Sequence, residues 1–338
     1  MELNVCWFVV LGALLAGYAV LDGFDLGAGI VYLGFKKEED RRTVLNAIGP
    51  LWDGNEVWLI TFGGALFAAF PQAYATAFSA YYTAFMLLLF ALIFRGVSLE
   101  FRGKRPEPAW RGFWDVAFSV SSALATFLFG VAVGGLIRGL PIGPDKEYAG
   151  TFWDLLGFYP IVVGLLAVAL FALHGALFLH LKSSGDMEAR LRRWIGRLFD
   201  FFAALYVLAT LATLVKIPSA IAHFHSMPVV MLVAAAITAA VVAIPWLVSR
   251  GRAAAAFLAS SLVTAALVFL FGFAIYPNLL LSSLNPAWSL TLRNAASSHK
   301  TLGLMGAVAL IGMPFVIAYT IVIYRVFRGK VDKDKLAY

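Results

Sequence analysis

The chain carries little charge and almost no cysteine for its length. Only 13% of its 338 residues are charged, against about a quarter in an ordinary soluble domain, while 62% are hydrophobic. The single cysteine, Cys6, excludes a disulfide framework and any cysteine-based zinc or iron–sulfur site within the chain. A soluble core of this size cannot bury so many apolar side chains, so the composition indicates a protein that lies in lipid.

Acidic residues are missing from one long stretch. No Asp or Glu lies between Phe201 and Val331, although four predicted membrane-spanning segments fall there. The acids that stand out inside apolar segments lie near the start of the chain, and they are Asp22, Asp25, Asp53 and Glu56. Charged groups in hydrocarbon are costly and tend to be functional. We therefore expect a single integral-membrane domain with an acid-bearing half at about 1–112 and a scaffold half at about 113–338.

Apolar runs of membrane-crossing length recur along the chain. About 20 apolar residues cross a bilayer as a helix, and this template predicts about nine spans. Their expected limits are 7–33, 51–70, 74–97, 113–136, 157–181, 198–217, 227–248, 254–277 and 301–324. The predicted fold is therefore an all-α polytopic membrane protein, arranged as two four-helix bundles plus one extra helix.

The basic residues alternate from one side of the predicted spans to the other. Of the 26 Lys and Arg residues, 21 lie in segments that share one side. Those segments are 34–50, 95–112, 182–197, 249–253 and 325–338. The positive-inside rule then places the N-terminus outside and the C-terminus in the cytoplasm. The N-terminus has no basic region or small-residue cleavage site, so we expect the first run to be a retained span rather than a signal peptide.

The acids in the first two spans fall in pairs. Asp22 and Asp25 are three residues apart and so project from one face of a helix, and Asp53 and Glu56 repeat that spacing. In the predicted orientation Asp25 and Asp53 lie toward the cytoplasm. Arg95, near the inner end of the third span, is the natural counter-charge. Such carboxylates can pass protons from cytoplasmic water into a helix bundle.

A static role explains the same residues equally well. Asp25, Asp53 and Arg95 could form a buried structural ion pair together with a helix cap. Asp53 follows Pro50 and precedes a long apolar run, which is a suitable position for an N-cap. The residues alone leave the structural and the proton-handling alternatives open.

The histidines do not predict a cofactor site. There are five, and His174 and His180, six residues apart, point to different sides of one helix. His223 and His225 have a spacing that could bind metal, although a solvated loop pair is the favoured interpretation. No haem-attachment or nucleotide-binding motif is present, so any redox cofactor is expected on another chain. The net charge of +7 resides in the loops and does not indicate nucleic-acid binding.

Three ordered motifs in the first 105 residues carry a resemblance to a known family. They are the run DGFDLGAG at 22–29, the run GPLWDGNEVWLIT at 49–61 with its continuation GGALFAAFP at 63–71, and the run FRGVSLEFR at 94–102. These motifs resemble the signature of subunit II of cytochrome bd-type quinol oxidases. Beyond them the resemblance rests on span number, length and loop pattern.

The resemblance implies a haem-free subunit, not catalytic alone, in the bacterial cytoplasmic (inner) membrane. Its partner would be a haem-bearing subunit I with two b-type haems and one d-type haem, and a small accessory subunit is compatible with it. Such a complex of the aerobic respiratory chain oxidises quinol at the outer face. It reduces O2 to water with cytoplasmic protons, separating charge without pumping.

The family motifs also imply roles for particular residues. The family's proton-entry aspartates match Asp25 and Asp53, and the arginine of the third motif matches Arg95; Asp22 and Glu56 are further candidates for the same proton pathway. A proton- or cation-coupled transporter is the alternative function, and it predicts acids in both halves of the chain. A purely structural assembly subunit is a third alternative.

Overall fold

The computed structural model describes residues 2–217 and 228–332, and this part of the chain is almost entirely helical. Its eleven α-helices follow in chain order. They are α1 (Leu3–Val31), α2 (Glu38–Ile48), α3 (Trp52–Ala69), α4 (Pro71–Ala80), α5 (Tyr82–Phe101), α6 (Pro108–Arg138), α7 (Phe158–Lys182), α8 (Gly185–Lys216), α9 (Pro228–Ser249), α10 (Ala253–Ile275) and α11 (His299–Val326). The predicted all-α polytopic fold is confirmed.

Eight of these helices are long and apolar enough to cross a bilayer, counted over the described residues. They are α1 and all of α5 to α11. The one predicted span outside this set is the second, 51–70, which corresponds to α3; this helix has 18 residues and begins with polar side chains. The count of nine spans and the orientation of the chain in the membrane therefore stay predictions.

Two predicted boundaries differ from the structure. The third predicted span, 74–97, covers the end of α4 as well as most of α5, because the helix is interrupted at Tyr81. The predicted span 198–217 is only the apolar part of α8, which already begins at Gly185. The residues before it, 185–197, include Glu, Met and Arg, which favour helix, but they are too polar for a hydropathy template to count them as part of a span.

The helices α1 and α7 cross at the centre of the bundle. A Cβ atom placed at Gly27 would collide with the Phe171 carbonyl oxygen, and one at Gly175 would collide with the Gly27 and Ala28 backbone. The two backbones therefore touch where both residues lack a side chain, which is how small residues pack membrane helices. This crossing holds the second half of α1, with its two acids, in the bundle interior.

The connection between α10 and α11 contains a small two-stranded sheet and contacts the ends of α3 and α6. Strand β1 (Asn278–Leu280) pairs antiparallel with β2 (Leu290–Thr291), and an isolated bridge connects Leu140 to Ser282. Ser297 donates from its backbone N–H to the Ala69 carbonyl, 2.8 Å away. These contacts attach the segment before α11 to the end of α3 and so help to place both helices.

Candidate functional site

Four helices bring polar side chains together near one end of the bundle. These are the second half of α1, the first turns of α3, the last two turns of α5 and the last turn of α11. We term this end the basic end, because Arg41, Arg102, Arg111 and Arg190 form ion pairs there. It is the end that the distribution of basic residues predicts to face the cytoplasm.

Arg95 and Asp22 form a fully buried ion pair between α5 and α1. The guanidinium Nη1 and Nη2 donate to the two carboxylate oxygens of Asp22 at 3.0 and 2.5 Å, respectively. Both side chains have no solvent exposure. The planar guanidinium also lies 5.9 Å from the ring centroid of Trp52, within the range of a cation–π contact. A two-pronged pair of this kind fixes orientation as well as charge.

Asp25 lies one turn further along α1 and has a different partner. Its Oδ2 accepts a hydrogen bond from the Asn55 side-chain amide at 2.7 Å. The same amide nitrogen lies 3.2 Å from the Leu21 carbonyl oxygen, and the Asn55 Oδ1 accepts from the Tyr324 hydroxyl at 3.1 Å. Asp25 is fully buried and Asn55 is 2% exposed. A polar chain therefore runs from α11 through α3 to the second acid of α1.

Asp53 and Glu56 lie further out on α3. Asp53 is exposed and Glu56 is half-buried, and within the described part of the chain neither makes a hydrogen bond or ion pair. The proposed N-cap role of Asp53 is wrong, since the N-cap position of α3 is Leu51 and no side chain caps it. The static ion pair of Arg95 with Asp25 or Asp53 is also wrong, because the partner of Arg95 is Asp22.

Three buried polar atoms of this site have no hydrogen-bond partner among the described residues. They are the Tyr18 hydroxyl, the Asp25 Oδ1 and the Arg95 Nε. Tyr18 lies one turn before Asp22 on α1, so the three groups border the same ion pair. Buried polar groups are normally satisfied by protein or by ordered water. Unpartnered groups of this kind are expected where water or a mobile proton belongs.

Sequence reasoning missed Asn55, Tyr324 and Tyr18. All three are uncharged, and residues 55 and 324 are separated by 269 positions, so no local spacing relates them. Asn55 lies inside the motif run 49–61 between the two acids of α3, which is the one local indication of a role. On the same helix, Trp58 packs against α1: a Cβ at Gly17 would fall 2.5 Å from its ring.

A second charged cluster at the basic end was also missed. Asp115 of α6 is 2% exposed and accepts from the Tyr32 hydroxyl at 2.6 Å, from Arg41 at 2.7 Å and from Arg102 at 2.5 Å. Asp115 falls inside the predicted span 113–136, so an acid within an apolar run was the available signal. The cluster ties together the end of α1, helix α2, the end of α5 and the start of α6.

Glu38, which lies on the loop helix α2 as Arg41 does, extends this cluster. Arg102 donates to both carboxylate oxygens of Glu38 at 3.0 and 2.7 Å, and Arg111 donates to Oε1 at 3.2 Å. Hydrogen bonding to Arg102 lowers the pKa of the Glu38 carboxyl below its ordinary value, although partial burial opposes the shift. The Glu38 carboxyl therefore stays ionised to a lower pH than an unpaired glutamate would.

The histidines that the structure describes do not form a site for a metal ion. Among residues 2–217 and 228–332, no group of three or more His, Cys, Asp or Glu side chains could hold a metal ion. His174 has both ring nitrogens engaged, with Ser260 Oγ at 2.7 Å and the Val20 carbonyl at 3.0 Å. Its ring stacks on Phe257, so it offers no free lone pair. His223 and His225 lie outside the described residues.

Together the fold and the site define a polytopic helical membrane protein with a buried ion pair and a second buried acid near its basic end. The comparisons with known proteins then identify the family. The family model for cytochrome bd terminal oxidase subunit II matches residues 3–327. The chain therefore belongs to the cytochrome bd terminal oxidase subunit II family, whose members are multi-pass proteins of the bacterial inner membrane and components of a quinol oxidase complex.

Relatives over the full length support this assignment. The chain is 33% identical to cytochrome bd-I ubiquinol oxidase subunit 2 of Escherichia coli strain K12, covering 99% of this chain and 96% of the relative. It is 34% identical to cytochrome bd ubiquinol oxidase subunit 2 of Bacillus subtilis strain 168, covering 100% and 99%, respectively. Membership implies a subunit I partner.

A solved structure shares the fold. A chain in the structure of bd oxidase from Geobacillus thermodenitrificans superimposes with a TM-score of 0.78 at 19% identity, covering 97% of this chain and 99% of that chain. The resemblance to cytochrome bd-type oxidases stated from the motifs is confirmed.

Proposed function

We propose that this chain is the haem-free subunit that stabilises the haem-bearing subunit I and delivers cytoplasmic protons to it for the reduction of O2 to water. The chain is not catalytic alone. Two b-type haems and one d-type haem would reside on the partner, where electrons from quinol meet oxygen. The complex would separate charge without pumping, and a small accessory subunit is compatible with this role.

The proposal rests chiefly on the surroundings of Asp25. This carboxyl is fully buried, one oxygen is held by Asn55 at 2.7 Å, and the other has no partner among the described residues. A carboxyl that serves only as a structural link would be expected to use both oxygens. An oxygen left open in the bundle interior can bind and release a proton while the other keeps the side chain in place.

The charge balance of the site supports the same role. One guanidinium, that of Arg95, lies near enough to the carboxyls of Asp22, Asp25 and Glu56 to interact with all three electrostatically. Asp22 accepts hydrogen bonds from both Nη atoms of the guanidinium. Asp25 and Glu56 are therefore left without a cation of their own. An uncompensated charge in a low-dielectric interior is most easily removed by binding a proton.

A route from the surface to Asp25 follows the face of α3. Asp53 is exposed at the start of the helix, and Glu56, three residues later on the same face, is half-buried. In the proposed path, Asp53 takes protons from cytoplasmic water and Glu56 carries them inward. Water beside Tyr18 and Arg95 would complete the link to Asp25, because these side chains have unpartnered polar atoms.

The outward face of α3 is the proposed contact with subunit I. Val57, Ile60 and Phe67 are exposed at 45%, 70% and 58%, and they continue the row that begins at Asp53. Protons for haem chemistry must leave this chain toward its partner. Asp53 meets that need, because it lies at the start of an apolar face of α3 that subunit I would cover.

The decisive experiment compares Asp53→Asn and Asp25→Asn in the purified two-subunit complex. We expect each variant to lower oxygen-reduction turnover about ten-fold or more, with normal haem content, because each removes a proton carrier without changing side-chain size. Glu107→Gln, an exposed acid in the loop after α5, is the matched control and should retain full turnover.

Other results would reject parts of the proposal. Full turnover of both variants with all haems present would show that neither acid carries protons. Loss of haem with loss of turnover would instead assign them a structural role. The transporter alternative is not favoured by any contact of the described residues, and the acid-free stretch from Phe201 to Val331 opposes it.

A further inference from the structure

The structure contains a hydrogen-bonded link between the last long helix and the buried acid of the first. We propose that Tyr324 is a positioning residue: its hydroxyl orients the Asn55 amide, and that amide orients the Asp25 carboxyl. The site then works only when α11 is packed in its place against α3. This inference rests on the proposed role of Asp25 and adds a residue that the motifs do not contain.

The contacts of Asn55 leave its amide one orientation. The Leu21 carbonyl and the Asp25 carboxylate can only accept hydrogen bonds, so both must face the Asn55 amide nitrogen, at 3.2 and 2.7 Å. The amide oxygen is thereby directed toward α11, where the Tyr324 hydroxyl donates to it at 3.1 Å. A donor on the oxygen also strengthens the N–H groups on the opposite side of the amide.

Without the Tyr324 hydroxyl, the Asn55 oxygen would be a buried acceptor with no donor. Asn55 is 2% exposed, so bulk water cannot replace the lost partner directly. The amide would then gain by rotating toward any other donor, and its bond to Asp25 would weaken. The hydroxyl therefore acts on Asp25 without touching it.

The helix that carries Tyr324 is held mainly at its two ends. Within the described part of the chain, Leu302 is the one buried side chain of α11, and its carbonyl accepts from the Trp7 indole at 3.0 Å. Beyond the other end, the Val331 N–H donates to the Lys182 carbonyl at 2.8 Å and Lys330 pairs with Glu188 at 2.7 Å.

The side chains of α11 between these anchors are mostly exposed. Tyr324 is half-buried and makes the only side-chain hydrogen bond from α11 to a buried polar group of the described residues. The bond from its hydroxyl to Asn55 therefore forms only when α11 is packed in its place. A shift of the helix along its length would break the contact with Asn55 before it disturbed any large apolar core.

The test is a mutant cycle in the purified two-subunit complex with Tyr324→Phe, Asn55→Ala and the double variant. Turnover, the KM for quinol and haem content are measured for each. We expect Tyr324→Phe to lower kcat about three- to ten-fold with KM and haem content unchanged. Asn55→Ala should cost at least as much, and Tyr324→Phe should have no further effect in the Asn55→Ala background.

The control is Tyr206→Phe on α8, a half-buried tyrosine whose hydroxyl has no hydrogen-bond partner among the described residues; it should leave all three quantities unchanged. Losses that multiply in the double variant would overturn the inference, because Tyr324 would then act independently of Asn55. Loss of haem in Tyr324→Phe would also overturn it, by making the hydroxyl a structural contact.

Asp25→Asn, measured in the same assay, distinguishes failure of the positioning role of Tyr324 from failure of the proposed function. If Asp25→Asn slows turnover and Tyr324→Phe does not, the positioning role is wrong and the proposed function stands. If neither variant slows turnover, the proposed function itself fails and the positioning role fails with it.

Discussion

The buried pair of Arg95 and Asp22 shows how a membrane helix can carry charge. Both side chains are fully shielded, and two parallel hydrogen bonds join them. Asp25, one turn away, has no such cation and is held instead by a neutral amide. Neighbouring acids on one helix face thus have different partners, which is the arrangement expected when one is structural and the other exchanges protons.

Replacing Arg95 tests the structural role of its ion pair with Asp22. Arg95→Leu leaves Asp22 buried without a partner, and we expect it to cost about 3–5 kcal/mol of stability. The loss should be visible as a lower thermal denaturation midpoint of the purified complex.

Replacing both partners should cost much less. In Arg95→Leu combined with Asp22→Leu, no buried charge of the pair is left over, and apolar replacements of buried pairs are often nearly neutral. If the double variant were as unstable as Arg95→Leu alone, the instability would not come from the unpaired Asp22 carboxylate.

Among the helices, the crossing of α1 and α7 determines where the acids lie. Gly27 and Gly175 meet backbone to backbone, only two residues beyond Asp25. The spacing between these helices sets the position of α1, against which α3 presents Asn55 and α5 presents Arg95. The acids are therefore positioned by a contact that involves no charge.

One added methyl group tests this crossing. Gly27→Ala places a Cβ against the Phe171 carbonyl oxygen, so the helices must separate, and we expect a loss of about 1–3 kcal/mol or more. Thermal denaturation of the complex measures it.

Gly12→Ala is the matched control on the same helix. Its Cβ would lie an ordinary 3.8 Å from the Phe269 ring, and alanine favours helix over glycine by about 1 kcal/mol. Equal destabilisation by Gly12→Ala and Gly27→Ala would mean that close approach at Gly27 is not what holds α1.

For the molecule as a whole, the two ends of the bundle differ in chemistry. One end carries the ion pairs of Asp115, Glu38 and Asp40 with arginines and lies next to the buried acids. The other carries the small sheet of β1 and β2 and few basic residues. The positive-inside rule predicts that the first end faces the cytoplasm, and delivery of cytoplasmic protons requires the same orientation.

Chemical labelling in intact cells checks this orientation. In a Cys6→Ser background, Glu147→Cys lies in the loop before α7 and Glu107→Cys lies in the loop before α6, and both positions are exposed. We expect a membrane-impermeant maleimide to label residue 147 in intact cells and residue 107 only after permeabilisation. The reverse pattern would show that the basic end faces away from the cytoplasm. The site could then not take up cytoplasmic protons.

The membrane spans could be predicted from hydropathy because lipid imposes a simple condition. Backbone polar groups in hydrocarbon must be satisfied within a helix, so an apolar run of sufficient length becomes one. The predicted spans 157–181 and 227–248 agree closely with α7 and α9. The charged first half of α8 could not be recognised in this way, because its sequence is not apolar.

The candidate site was predictable only in part. Asp22, Asp25 and Arg95 stand out because charges inside apolar runs are rare. Their pairing did not stand out, because the rotation of α5 about its axis decides whether Arg95 meets Asp22 or Asp25, and that rotation is set by packing. Asn55 and Tyr324 are uncharged and far apart in the chain, so their contact has no local signature.

Charge and hydropathy along the chain were sufficient to predict a helical membrane protein and to locate its candidate acids in the first half. These features depend on each residue's own affinity for water or lipid. The partners of those acids, the Asn55–Tyr324 link and the open oxygen of Asp25 depend instead on how four helices from distant parts of the chain pack. Such contacts exist only after folding, because side chains choose partners by distance and direction rather than by order in the chain.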